Sequence, residues 1–236
     1  MIVDFYLFAG KTGLPLSETA VHLSAITSYM FGISSLAMKH RNGATAKYHF
    51  ILSKFQYTHQ AITMQASALL PLTPAQLESG ASRCLALQQS GQDTHGKRPF
   101  AAILLAPDSE TQLMSSLSLS HVRHAECELA RNAADNYAWD YLAQCTMVST
   151  WEPCAMCAGT IYWAHIGRLV YLASEKSLQQ VIGAGNPENL TLDLSCRAVF
   201  AAGQTRVEVI GPLSVDGWEA EVVRDSRRYW ARVDRQ

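Results

Sequence analysis

Two short motifs, 26 residues apart, carry side chains able to bind a metal ion and move protons. The first, H-x-E, consists of His124 and Glu126; the second, P-C-x-x-C, contains Pro153, Cys154 and Cys157. A structural zinc site usually has four protein ligands, whereas a catalytic site has three and leaves one position for water. The histidine and the two cysteines supply three such ligands. The glutamate then remains free to exchange protons with the water.

Each motif alone has a simpler interpretation. A lone C-x-x-C pair also occurs as a redox pair or as half of a structural zinc site. H-x-E alone carries little information, because many helices contain such residues. Both motifs in this order resemble the signature of the zinc-dependent nucleobase deaminases. The alternative is a degenerate copy that binds zinc without turnover.

Composition predicts a globular protein with reduced thiols. The chain has 236 residues, 48% of them hydrophobic, and a formal net charge of −1. Two of the six cysteines belong to the motif, and the other four lack paired spacing. This usage favours a cytoplasmic protein over a disulfide framework.

Residues 1–63 differ from the remainder, with five Lys/Arg and two Asp/Glu. Residues 19–38 contain no charge and are long enough to span a membrane. Their serines, threonines, histidine and glycine make insertion marginal, so we expect no membrane association. We expect 1–63 to be a disordered extension or a non-native start. A zinc-dependent deaminase domain would then occupy 64–236, from Met64 onward.

Beyond residue 72, helical patterns alternate with strand patterns. Predicted helices cover 73–91, 124–136, 154–165, 194–202 and 218–233, and predicted strands cover 99–106, 112–120, 146–150, 168–173 and 206–210. Thr73 caps the first helix, Pro74 opens it, and Gly91 is expected to end it. The alternation predicts an α/β fold with helices on both faces of a mixed sheet. His124 starts one helix, whereas Cys154 starts another.

Residues 151–164 (WEPCAMCAGTIYWA) resemble the cytidine and deoxycytidylate deaminase superfamily, above all its guanine deaminase and tRNA adenosine deaminase branch. Residues 99–102 (PFAA) and 166–171 (IGRLVY) add to the likeness, which covers about 74–206. The resemblance implies a three-layer α/β/α sandwich with a mixed five-stranded sheet. It also implies one bound Zn²⁺ and a homodimer.

By the same resemblance, the zinc ligands are His124, Cys154 and Cys157, and the catalytic proton carrier is Glu126. The family's substrate-contacting asparagine has no counterpart in residues 114–123. The resemblance therefore predicts the reaction type more firmly than the substrate. The candidate substrate contacts are Phe100, His121, Ala125 and Trp151. Core packing would account equally well for Phe100 and Trp151. His121 and Arg123 are candidates to contact the substrate in place of the asparagine, and the alternative is that both are solvent-facing loop residues.

Three functions are consistent with these observations. The first is hydrolytic deamination of a free nucleobase, a nucleoside or a similar small aminated heterocycle, as in guanine deaminases. The second is deamination of adenosine in tRNA, and the third is a non-catalytic zinc-binding partner subunit. Residues 64–236 contain fourteen basic and eighteen acidic residues. This acidic balance favours a small substrate over RNA, whose phosphates attract basic surfaces.

Overall fold

A sheet of five strands organises the part of the chain that the computed structural model describes, residues 69–183, 185–215 and 217–233. The expectations for residues 1–63, including the uncharged run at 19–38, lie outside these residues. Every helix within the described ranges is too short or too polar to span a membrane.

The strands form a mixed sheet in the order β2-β1-β3-β4-β5. Strand β1 pairs antiparallel with β2 and β3, whereas β3, β4 and β5 run parallel. The predicted five-stranded mixed sheet is confirmed. The strands are β1 (Ala101–Leu105), β2 (Gln112–Leu117), β3 (Thr146–Trp151), β4 (Arg168–Ala173) and β5 (Glu208–Ile210).

Helices cover both faces of the sheet and complete the predicted three-layer sandwich. They are α1 (Pro74–His95), α2 (Ala125–Asn136), α3 (Trp139–Leu142), α4 (Ala155–Trp163), α5 (Glu175–Ile182), α6 (Cys196–Ala201) and α7 (Trp218–Val233). Helices α1, α5 and α7 pack on one face, and α2, α4 and α6 lie on the other.

Alternating side chains along each central strand fill two separate cores. On β1, Leu104 packs with α2 and α4 in one cluster, whereas Ile103 packs with α1 in the other. On β3, Met147 and Val148 divide in the same way. Both faces are therefore buried, which explains why these strands appear in the sequence as continuous apolar runs.

The expectation that Gly91 ends the first helix is wrong. Helix α1 continues to His95, and Gly96 caps it in the left-handed conformation at φ 59°. Gly91 is needed for packing, because a Cβ at this position would lie 2.7 Å from a side-chain carbon of Leu117 on β2. Gly91 therefore lets the helix approach strand β2 closely. The glycine that ends the helix is Gly96, five residues later.

Two helices were not predicted from the sequence, and several boundaries move. Helix α5 starts after Ser174, whose side chain accepts a hydrogen bond from the Ser177 backbone. Helix α3 is a single turn with little periodicity to detect. The helix expected over 194–202 spans only Cys196–Ala201, whereas β4 and α7 have the predicted bounds.

A buried carboxylate attaches the terminal helix α7 to α1. Asp225 is 5% exposed and accepts hydrogen bonds from Gln88, at 2.8 Å, and from Gln92. Its other oxygen pairs with Arg228 of its own helix. These charge-assisted bonds hold α7 against the sheet, where Trp230 is buried beside Phe100.

We expect Asp225→Ala to lower the free energy of unfolding by about 2–3 kcal/mol, because it removes buried hydrogen bonds to a charged group. Urea unfolding of the zinc-loaded protein measures the loss. Asp93→Ala is the matched control, since Asp93 also approaches Arg228, at 3.6 Å, but is exposed. The control should lose at most about 1 kcal/mol. Equal losses in the two variants would contradict this assignment.

Candidate active site

Two helix starts bring the metal-binding side chains together. His124 is the N-cap residue of α2 and Cys154 is the N-cap residue of α4, both with extended backbone conformations. Cys157 lies in the first turn of α4 and is fully buried. Because α2 and α4 pack side by side, the imidazole of one helix start faces the thiols of the other.

The distances among these three side chains suit a tetrahedral zinc ion. His124 Nδ1 lies 3.6 Å from Cys154 Sγ and 3.6 Å from Cys157 Sγ. All three donor atoms lie within 4.8 Å of one another. Zn–N and Zn–S bonds of normal length at a tetrahedral angle would separate N and S by about 3.5 Å. The donor set and spacing therefore fit Zn²⁺.

A backbone carbonyl orients the histidine. His124 Nε2 lies 2.9 Å from the carbonyl oxygen of His121, which accepts a hydrogen bond from Nε2–H. This bond leaves the Nδ1 lone pair directed at the two thiols. Outer hydrogen bonds of this kind select the tautomer and orientation of metal-binding histidines.

Interactions among the three ligands change their proton affinities. Hydrogen bonding with Cys157 lowers the pKa of Cys154 to about 4, and His124 contributes to the same effect. The same pairing, together with burial, raises the pKa of Cys157. Hydrogen bonding with Cys154 raises the pKa of His124. One thiolate is thus already favoured, and a divalent cation favours the second.

Glu126 lies beside this cluster and is 5% exposed. Its Oε1 accepts a hydrogen bond from Ser149 Oγ at 2.8 Å, and Cys157 Sγ lies 3.6 Å from Oε2. Burial raises the pKa of this carboxyl. The hydroxyl on β3 holds the carboxyl next to the metal ligands and directs it towards a cavity.

The cavity has a volume of about 300 Å³ and opens to solvent beside the candidate metal site. This volume is at the small end for ligand pockets and suits a single heterocycle. Its lining residues are Arg98, Phe100, Ser118, His121, His124, Glu126, Trp151, Glu152, Cys154, Met156, Glu175, Leu178, Pro187, Glu188, Asn189, Leu190 and Leu192.

Three of the four candidate substrate contacts line this cavity. Phe100, His121 and Trp151 contribute to its wall, and Trp151 is also buried in the core, where its Nε1 donates to the Pro99 carbonyl at 3.0 Å. Ala125 lies outside the lining and packs, fully buried, in the core beneath α2. Their roles in binding substrate stay predictions.

A sequence comparison connects this geometry with a known family. Residues 74–173 match the family model described as the cytidine and deoxycytidylate deaminase zinc-binding region. This segment belongs to the cytidine and deoxycytidylate deaminase superfamily. The match includes both motifs and the first four strands, so the helix starts that meet at the cavity lie within it.

Named relatives of this deaminase segment differ in substrate. The probable cytosine deaminase of Schizosaccharomyces pombe is 26% identical over 152 residues, which cover 61% of this chain and 86% of the relative. The guanine deaminase of Bacillus subtilis is 30% identical over 99 residues, covering 41% and 64%. The tRNA-specific adenosine deaminase of Haemophilus influenzae is 38% identical over 85 residues, covering 34% and 49%.

Several residues that line the cavity were not found from the sequence. Arg98 joins two walls of the cavity, because it contacts both ring nitrogens of His121, at 3.2 and 2.9 Å, and Glu188 at 3.1 Å. Glu175 lies two residues after the end of β4. The carboxyl ends of parallel strands commonly carry binding residues, so the position of Glu175 was a usable signal.

Glu152 connects the metal site to the neighbouring helices. Its carboxylate accepts hydrogen bonds from Ser195 Oγ at 2.8 Å and from the backbone N–H groups of Cys196, at 3.1 Å, and Glu175, at 3.4 Å. The residue stands two positions before Cys154. Its contacts therefore fix the segment that leads into α4 and hold the first cysteine in place.

We expect Cys154→Ala to weaken zinc binding by more than about 100-fold, because even loss of an outer hydrogen-bond partner costs up to that amount. Bound zinc, measured by elemental analysis after dialysis, and the thermal midpoint should both fall, since metal binding joins two helices. Cys127→Ala is the matched control: Cys127 is also buried near α4, and its Sγ lies 3.5 Å from Thr160 Oγ1. Full zinc content in Cys154→Ala would contradict the site.

Proposed function

We propose that the protein is a zinc-dependent hydrolytic deaminase of a free nucleobase, a nucleoside or a similar small aminated heterocycle. The observation that supports this most is the meeting of three zinc-type ligands with Glu126 at a small cavity. Three ligands leave one position of a tetrahedral ion for water. A fourth ligand from the described residues does not join the cluster.

His124, Cys154 and Cys157 would hold the zinc ion, and two of them, His124 and Cys154, line the cavity. Zinc supplies the nucleophile when bound, because it lowers the pKa of a coordinated water to about 7. The amidine carbon of the ring gains a C–O bond and loses its C–N bond, so that water and the amine become a carbonyl and ammonia.

Glu126 would carry the protons of this reaction. It takes the proton that the attacking water gives up, and it delivers protons to the ring nitrogen and to the departing amine. Its position suits this task, since the bond from Ser149 holds one carboxyl oxygen and leaves the other near Cys157 and the cavity. No other residue in the described cavity wall combines a carboxyl with this contact to a ligand.

The charges around the cavity support a substrate without phosphate. Among the described residues, four carboxyl groups line it, and the only guanidinium group, that of Arg98, already pairs with Glu188. Phosphate groups would meet this acidic lining unfavourably. A neutral or weakly basic heterocycle with N–H donors matches it better.

Deamination of adenosine in tRNA is the second candidate, and the 38% identity to the tRNA-specific enzyme of Haemophilus influenzae favours it. Against it, two of the arginines of α7 already pair with carboxylates. Arg224 pairs with Glu221 at 3.1 Å, and Arg228 pairs with Asp225 and Asp93. RNA-binding surfaces usually present unpaired cations to phosphates.

The third hypothesis, a non-catalytic zinc-binding subunit, agrees less well with the site. A subunit without turnover has no need for Glu126, yet this residue is present and faces the cavity. The homodimer and the cytoplasmic location that the resemblance implies stay predictions.

We expect Glu126→Gln to retain zinc and to lower kcat by about 10²–10⁴-fold, because the amide cannot carry the proton. Elemental analysis and a coupled ammonia assay measure the two quantities. Glu128→Gln is the control: Glu128 lies on the same helix outside the cavity wall and pairs with Arg123 at 2.7 Å. Retained turnover in Glu126→Gln would exclude this role.

A substrate panel separates the candidate functions. Ammonia release is measured with guanine, cytosine, nucleosides and other small aminated heterocycles, and inosine formation is measured in tRNA. We expect turnover of at least one free heterocycle and none of tRNA. Conversion of tRNA with no reaction of the small compounds would replace the proposed function by the second candidate.

A further inference from the structure

Glu175 stands at the cavity with a carboxyl group that the structure leaves largely unused. It is the first residue of α5, immediately after Ser174, and its side chain lines the cavity. No salt bridge connects Glu175 to any residue that the structure describes, in contrast to Glu188, which pairs with Arg98 at 3.1 Å.

The other carboxyl groups of the cavity wall already have partners. Glu152 accepts bonds from Ser195 and from two backbone N–H groups. Glu126 accepts the hydroxyl of Ser149 at 2.8 Å. The Glu175 carboxyl receives a backbone hydrogen bond from Leu192, whereas a carboxylate offers about four acceptor positions.

The surroundings of Glu175 would favour a ligand that donates hydrogen bonds. Burial raises the pKa of Glu175 to about 8, and the acidic groups Cys154, Glu126 and Glu152 add to the shift. An N–H donor in the cavity would lower the free-energy cost of burying the Glu175 carboxyl group, because hydrogen bonds stabilise a buried carboxyl.

We propose that Glu175 is a substrate-binding residue whose carboxyl group accepts hydrogen bonds from an N–H edge of the heterocycle. This inference rests on the proposed function and deepens it. A carboxyl group accepts two parallel N–H bonds, so a ring N–H beside an exocyclic amino group is the matching edge. Glu175 would thus help select the substrate, whereas Glu126 carries protons.

The test uses the full-length, zinc-loaded protein and the heterocycle that the wild type deaminates fastest in the panel. Glu175→Ala is expected to raise KM roughly 10- to 100-fold, because two hydrogen bonds of ordinary strength to the substrate are lost, and to leave kcat within a few-fold. Glu175→Gln should raise KM less, because its amide keeps one acceptor oxygen. Gln180→Ala, an exposed change on the same helix, is the control and should match the wild type.

The outcomes separate this inference from the proposed function. A raised KM with full zinc content supports it. An unchanged KM, or a loss confined to kcat or zinc, overturns it while the proposed function stands. If Glu175→Ala does not fold, the KM of Glu175→Gln decides in the same way. If the wild type deaminates no heterocycle, the proposed function fails and this inference falls with it.

Discussion

The approach of His124 Nδ1 to the two thiols of α4, at 3.6 Å each, constrains the rest of the described structure. The imidazole and the first thiol belong to N-cap residues, and the second thiol lies one turn later. The two helices must therefore start at the same level on one face of the sheet. The antiparallel pairing of β1 with β2 and β3 meets this requirement, because it brings the end of β3 close to the chain that leads into α2. A metal ion at this point would couple folding to binding.

The same arrangement explains why acidic groups accumulate at the cavity. Burying a carboxyl group costs free energy unless hydrogen bonds or cations compensate. Glu152 and Glu188 have such compensation, from helix N–H groups and from Arg98 respectively. Glu126 and Glu175 are compensated less, and burial raises the pKa of each. Groups held in this way are characteristic of functional sites, where the fold tolerates a local cost for chemistry.

The candidate metal site and much of the remaining cavity wall come from different parts of the described chain. The ligands and Glu126 stand on helix starts supported by the central strands, which lie within the segment matched to the family. Much of the remaining cavity wall comes from residues 187–192, beyond that segment. Loops vary more readily than the elements they connect. This division agrees with relatives whose names refer to cytosine, guanine and tRNA adenosine.

The sequence by itself determined the elements and the chemistry that depend on local pattern. The bounds of β4 and α7, the helix starts at His124 and Cys154, and the zinc-type donor set all follow from periodicity and motif spacing. Only the tertiary structure decided that Gly91 continues its helix and that Arg98, Glu175 and Glu188 reach the same cavity. The reason is physical: Leu117 of β2 determines the role of Gly91, and a contact such as Arg98 to Glu188 joins residues 90 positions apart. Local periodicity carries no information about such distant contacts, whereas packing of the sheet and its helices creates them.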